Sequence, residues 1–315
     1  MKKMMMICAA FAVMTGVTAC SPKTAEPSTQ EQKTETVSVT HSMGTTKVSA
    51  GPQKIAALDL AALDILDALG LGGKVVGIPK KSSVSYLQSY LDDDKIVNLG
   101  SVKEVDMEAL KSLEPDLILI GGRLKEEYEN LSKIAPTVPV IIDHEKGYLK
   151  SARENVDNIA ALFGVEEQAE SIFKDFETRI DGLKEISEGK NAIVGLVTSG
   201  SISTLGNGAR CSLIVNEAGF DNAAADVNST HGDSASFELL LEKNPDYIFV
   251  LDRDSAIGAE GSKVANEVMD NEIVRKTDAS RNGNIVYLTP DVWYLSEGGI
   301  TATDTMIRDL EQGLN

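Results

Sequence analysis

Hydrophobic residues along this chain fall into short unbroken runs separated by stretches of helical spacing, and one such unit is written twice. Residues 108–123 read EALKSLEPDLILIGGR, and residues 238–253, at a constant offset of 130, read ELLLEKNPDYIFVLDR. Glu108, Leu110, Pro115, Asp116, Ile118 and Arg123 recur as Glu238, Leu240, Pro245, Asp246, Ile248 and Arg253 without a gap. Each copy predicts a short helix led by an acidic residue, a Pro-Asp turn and then a buried strand. The run from Leu117 to Ile120 shows no polar alternation, so its strand should be covered on both faces, as in a parallel sheet flanked by helices.

The same pattern extends on both sides. Thr36 to Thr40 and Lys47 to Ala50 flank Ser42-Met43-Gly44 as a hairpin, and Asp59 is placed to cap a helix from Leu60 to Leu69. Strands are expected at Lys54 to Leu58, Val75 to Ile78, Ile96 to Leu99, Leu117 to Ile120 and Val138 to Ile142, with helices between several of them. That alternation defines an N-terminal α/β lobe over residues 37–150. Residues 151–188 carry apolar positions at helical spacing, broken at Gly164, and read as a stiff helical connector. Residues 189–315 repeat the alternation as a C-terminal lobe: strands at Ala192 to Val197, Tyr247 to Leu251 and Ile285 to Leu288, a helix around Ser212 to Ala218, and a closing helix from Thr301 to Leu314. The fold class is α/β, with two similar lobes and a helical link.

Both repeated runs end in arginine, Arg123 and Arg253. In open α/β sheets, ligands bind beyond the carboxyl ends of the strands, where both arginines fall. Taken singly, each is equally a solvated residue after a strand; two in register suggest facing lobes that each offer a cation to something anionic. Arg210 follows Gly206-Asn207-Gly208 ahead of a helix, a place where anions are favoured, and gains weight from the other two.

Composition narrows the field. The 315 residues carry a formal net charge of −18, so the chain has no basic field with which to coat nucleic acid. An anion must instead meet a local cluster of cations. The opening MKKMMMICAAFAVMTGVTAC has two lysines, a short apolar stretch and small residues before Cys20, which reads as a signal peptide over residues 1–19. Val17-Thr18-Ala19-Cys20 resembles a lipobox, implying lipid on Cys20, and residues 20–36 are a polar tether. Cys211 is then the only other cysteine of the mature chain; a buried small hydrophobe is the expected role, and no disulfide is available.

Only three histidines occur, His41, His144 and His231, without metal-ligand spacing. His231 stands where the first copy of the repeat has Ser101, and is open to reading either as a loop histidine or as a ligand. Trp293-Tyr294 follows a strand; core packing is one reading, and a cleft edge where Tyr294 offers oxygen to a hard cation such as Fe(III) is the other. Phosphate-loop, zincin and nucleophile-elbow motifs are absent from the sequence, so nothing in it argues for catalysis.

Together the lipoprotein signal, the tether, GGRL at 121–124, GARCSLI at 208–214, His231, EKNPDYIFVLDR at 242–253 and YLTPDVWYLSEGG at 287–299 resemble the iron-siderophore-binding lipoproteins of bacterial ABC importers. More narrowly, they are similar to the catecholate and petrobactin type. The resemblance implies a class III substrate-binding protein, two Rossmann-like lobes joined by a single long helix. It implies no enzymatic activity and no intrinsic cofactor, the ligand being an Fe(III)-siderophore complex held in the cleft.

By that resemblance, Arg123, Arg210 and Arg253 form the anion clamp, with Trp293 beside them. His231 and Tyr294 complete the iron coordination when the siderophore fills only four positions. Glu108 and Glu238 dock to the ABC permease, which works with its ATPase, and the protein is a lipid-anchored monomer on the extracytoplasmic face of the cell membrane. An acidic residue in a first helical turn is also stabilising for its own sake. A haem or cobalamin carrier of the same fold, or another metal-binding extracellular protein, are the alternatives, and three arginines argue against the first two.

Overall fold

The computed structural model describes residues 35–225 and 232–314, and these form one compact unit. Its strands are β1 (Thr36–His41), β2 (Gly44–Ser49), β3 (Ile55–Ala57), β4 (Val75–Ile78), β5 (Val97–Asn98), β6 (Leu117–Ile120), β7 (Thr137–Pro139), β8 (Asn191–Thr198), β9 (Ser201–Leu205), β10 (Asp221–Asn222), β11 (Asp233–Ala235), β12 (Tyr247–Asp252) and β13 (Ile285–Tyr287). The helices that matter to the site are α1 (Leu60–Ala68), α2 (Met107–Leu113), α3 (Tyr148–Phe163), α4 (Glu166–Ser187), α5 (Phe237–Lys243), α6 (Arg253–Ala256), α7 (Pro290–Leu295) and α8 (Ile300–Gly313).

The two copies of the repeat fold alike. Asp106 caps α2 by accepting from the backbone N–H of Glu108 and Ala109, and Ser236 caps α5 by accepting from Leu239. Both helices stop at a left-handed residue just before the proline, Glu114 with φ 47° and Asn244 with φ 41°. Each turn aspartate then ties its copy to the neighbouring strand. Asp116 accepts from the N–H groups of Gln53 and Lys54 at 2.8 and 2.9 Å, and Asp246 accepts from Asn191 at 2.9 Å.

These ties place β6 beside β3 and β12 beside β8. The first sheet is parallel throughout, in the order β5-β4-β3-β6-β7. The second runs β11-β9-β8-β12-β13, with β8, β12 and β13 parallel. β9 and β11 join antiparallel, a hairpin extension that the hydrophobic pattern did not suggest, and β10 pairs with the start of β8.

Both repeated strands are buried on two faces, as their unbroken runs require. Leu117, Leu119, Tyr247, Phe249 and Leu251 point into one large central core, to which α1, α3, α4, α7 and α8 all contribute. Ile118 and Ile120 face an outer cluster sealed by Leu110 of α2, and Ile248 and Val250 face its counterpart sealed by Leu240 of α5. Each such side chain contributes about 1.5–3 kcal/mol by leaving water. The repeat is therefore a strand together with the helix that covers its outer face.

The connector comprises α3 and α4, parted where Gly164 takes the left-handed conformation. The closing helix ties distant parts of the chain together. α8 packs on α1 and α4, and Asp64 of α1 accepts from the N–H groups of Thr301 and Ala302 at 2.9 and 2.8 Å. Arg179 of α4 grips the same helix at two places, through Asp304 near its start and Glu311 near its end. Residues 300–313 thus reach back to α1 and α4 while also packing on α7 and β13, which precede them. The expected helix after Arg210 is a single π-helical turn, Leu213–Glu217.

Candidate functional site

Each of the three sequence-singled arginines sits on a different turn, and the turns have local causes. β6 ends at Gly121, where a Cβ would fall on the Oδ2 of Asp59, the residue that caps α1. Only glycine lets the strand pass that carboxylate, and the following turn carries Arg123. β12 ends at Asp252, whose side chain caps α6, so Arg253 opens that short helix. Arg210 lies in the turn between β9 and the π-helical segment. Thr289-Pro290 starts α7 with proline in its first turn, a helix the sequence reading did not include, and α7 carries Tyr294.

All three arginines converge on Tyr294. The Nη2 of Arg123 and the Nη1 of Arg210 each donate to the Tyr294 carbonyl at 3.0 Å, and the Nε of Arg253 donates to its phenolic oxygen at 3.0 Å. The three guanidinium carbons lie 5.8, 4.6 and 5.8 Å from the centre of the tyrosine ring, within cation–π range. Arg210 and Arg123 therefore share one acceptor, and Arg253 takes the other end of the same residue.

Acidic groups offset part of this charge. Glu297 pairs with Arg210 at 3.3 Å, Asp254 with Arg253 at 3.4 Å, and Asp59 lies buried beside the pair Arg123 and Arg210. Burial pushes the Asp59 carboxyl up, while Arg123 and Arg210 and the backbone N–H groups of Ala61 and Ala62 pull it down. The Nε of Arg210 is buried without a hydrogen-bond partner among the described residues, an orphaned donor beside the cavity. Cys211, also buried, has its thiol pushed up by burial, which fits a packing role.

The cavity at this point measures about 390 Å³ and is walled by Asp59, Arg123, His144, Arg210, Tyr294 and Glu297. Across Leu295 lies a second hollow of about 390 Å³, lined by Lys81, Ser82, Ser85, Ser255, Ile257 and Asp291. The backbone N–H of Ser85 donates to Asp291 at 2.9 Å, linking the loop after β4 to α7. The site thus lies at the carboxyl ends of strands from both sheets, where open α/β sheets bind ligands.

Several expectations are resolved by these positions. Arg123, Arg210 and Arg253 come together, with Tyr294 at their centre. Trp293 does not reach the cleft: it is fully buried and its indole N–H donates to Asp309 at 2.8 Å, so the expected ligand contact is corrected to a core role. One residue along a helix turns the side chain by about 100°, so neighbours in α7 face different ways. His231 and Cys20 lie outside the described residues. Glu108 and Glu238 are exposed at matching positions in the first turns of α2 and α5.

His144, Asp59 and Glu297 line the cavity without having been singled out for it. His144 is held through its Nδ1 by the hydroxyl of Ser212 at 2.8 Å, a contact between distant parts of the chain that no local spacing announces. Among the described residues no group of three or more His, Cys, Asp or Glu could hold a metal ion, and no helix is long and apolar enough to cross a membrane.

Two Rossmann-like lobes with a helical link and a cationic cleft define a class III substrate-binding protein. Residues 55–292 match the periplasmic binding protein family, and the chain belongs to it. The petrobactin-binding protein YclQ of Bacillus subtilis (strain 168) is 36% identical over 100% of this chain and 99% of its own length. The crystal structure of YclQ superposes with a TM-score of 0.84, at 36% identity, over 89% of this chain and 99% of that one. That of VctP, a periplasmic catecholate-siderophore binding protein of Vibrio cholerae, superposes with a TM-score of 0.83 at 30% identity, covering 88% of this chain and 100% of its own. BauB, solved with two molecules of acinetobactin and ferric iron, is 28% identical with a TM-score of 0.81, over 89% and 99% of the two chains.

Proposed function

We propose that this protein is an extracytoplasmic lipoprotein that captures an anionic ferric siderophore of the catecholate type and delivers it to an ABC permease for iron uptake. The observation that carries this reading is the meeting of three arginines from three separate turns on one aromatic ring. A ferric tris-catecholate is a trianion whose oxygens accept hydrogen bonds, and guanidinium forks match both properties. Flat catechol rings also suit a site that already holds a phenol ring among cations. The names of YclQ and VctP support the ligand class.

In this reading His231 and Tyr294 complete the coordination of an iron whose siderophore supplies four donors, since Fe(III) accepts oxygen and imidazole ligands. Lipid on Cys20 holds the monomeric protein at the membrane, and Glu108 and Glu238 meet the permease.

Glutamine in place of Arg123, Arg210 or Arg253 tests the clamp. Each substitution is expected to weaken ferric tris-catecholate binding by about 10- to 100-fold, the loss of a charge-assisted hydrogen bond, and to flatten its salt dependence. Lysine at the same positions should restore only part of it. Unchanged affinity in all three glutamine variants would remove the clamp from the account.

A further inference from the structure

Three guanidinium groups drawn to one place repel one another, and each sits on a long flexible side chain that must be ordered before it can grip an anion. In this molecule one residue meets all three, beside the separate pairs that Glu297 makes with Arg210 and Asp254 with Arg253. The Tyr294 carbonyl takes Arg123 and Arg210 at 3.0 Å each, its hydroxyl takes Arg253 at 3.0 Å, and its ring lies within 5.8 Å of all three guanidinium carbons. The negative face of the ring and the carbonyl dipole offset the mutual repulsion. α7 fixes Tyr294 in turn: the carboxylate of Asp309, on α8, accepts from the indole of Trp293 at 2.8 Å and from the backbone N–H of Thr289 at 2.8 Å, and Asp291 accepts from Ser85.

We infer that Tyr294 is the positioning residue of the anion clamp, holding the three arginines converged while the cleft is empty. The inference rests on the proposed function and deepens it. Affinity for a ferric complex whose six donors all come from the siderophore depends on Tyr294, although the tyrosine supplies nothing to that iron. The ring acts as an internal stand-in for a bound catechol, so the clamp is preorganised and less of its side-chain freedom is lost on binding.

The separation of roles sets the experiment. Tyr294→Phe keeps the ring and the carbonyl and loses only the acceptor for Arg253; Tyr294→Ala keeps the carbonyl alone. Titration with a synthetic ferric tris-catecholate is expected to show about 10- to 100-fold weaker binding for Tyr294→Ala and less than about tenfold weakening for Tyr294→Phe. Wild-type affinity in Tyr294→Ala, with loss confined to a ferric bis-catecholate, would overturn the inference and leave the tyrosine a metal ligand alone.

A second readout needs no ligand. Arginine side-chain NMR signals of the ligand-free wild-type protein should show upfield ring-current shifts for Arg210, whose guanidinium carbon is 4.6 Å from the ring centre. Tyr294→Phe should preserve them and Tyr294→Ala abolish them, an effect that loss of packing alone would not reverse in the Phe variant. Unshifted arginine signals in the wild type would sink the inference by themselves. Should the wild type bind neither catecholate while these shifts are present, the proposed function fails and the positioning role stands.

Discussion

Gly121 and Gly299 are glycines for the same physical reason. Each passes so close to a buried carboxylate, Asp59 and Asp64 respectively, that a Cβ would fall on its oxygen. In Gly121→Ala the Asp59 side chain must leave the Ala61 N–H that it accepts at 2.9 Å, next to Arg123. Overpacking of this kind costs about 1–3 kcal/mol, so urea unfolding should show a loss of that size, together with weaker ligand binding. A variant as stable as wild type would contradict the close approach. The arginines were legible at this scale because the duplication marks two of them in register. The partition of Trp293 and Tyr294 was not: with α7 unrecognised, adjacent residues carry no signal of which ring turns to the core and which to the cleft.

Among the elements, β6 and β12 were legible because unbroken apolar runs have one stable environment, between two covered faces. β9 and β11 were not, since β9 gains its pairing from β8 and the short polar β11 gains its own only from β9. The docking of α8 onto α1 was hidden for a related reason: its cap, Asp64, lies 237 residues before Thr301. Asp64→Ala would orphan the Thr301 and Ala302 N–H groups and remove the carboxylate to which the Tyr86 hydroxyl donates at 2.7 Å. A loss of about 2–4 kcal/mol in chemical denaturation is expected.

Asp64 also predicts a pH dependence. Burial pushes its carboxyl above the ordinary 3.8, against hydrogen bonds from Ala302, Tyr86 and Thr301 that pull it down. The folded chain then holds this proton more tightly than the unfolded chain, so the group's contribution is largest below 3.8 and declines as pH rises through the folded value. Relative to Asp64→Asn, which has no proton to lose, wild-type stability should decline as pH rises from about 4 toward 7. A relative gain over that range would mean that the hydrogen bonds outweigh burial.

At the scale of the molecule, the two sheets, the helical link and the cleft followed from the alternation of elements, whereas the packing of α8 on α1 and α4 did not. The duplication also leaves Glu108 and Glu238 exposed at matching positions on two helices. Reversing both charges should abolish iron uptake in cells while leaving ligand affinity and stability intact; a fall in affinity would assign them elsewhere.

The most direct measurement uses Trp293, the one tryptophan in the chain, buried one residue from the ring that gathers the clamp. Its fluorescence should be quenched, by energy transfer to the coloured iron complex, on titration with ferric tris- and bis-catecholates. A neutral ferric hydroxamate should produce no saturable change at the same concentrations. Tight, saturable binding of the hydroxamate with no response to either catecholate would contradict the claim that three arginines around Tyr294 define the ligand.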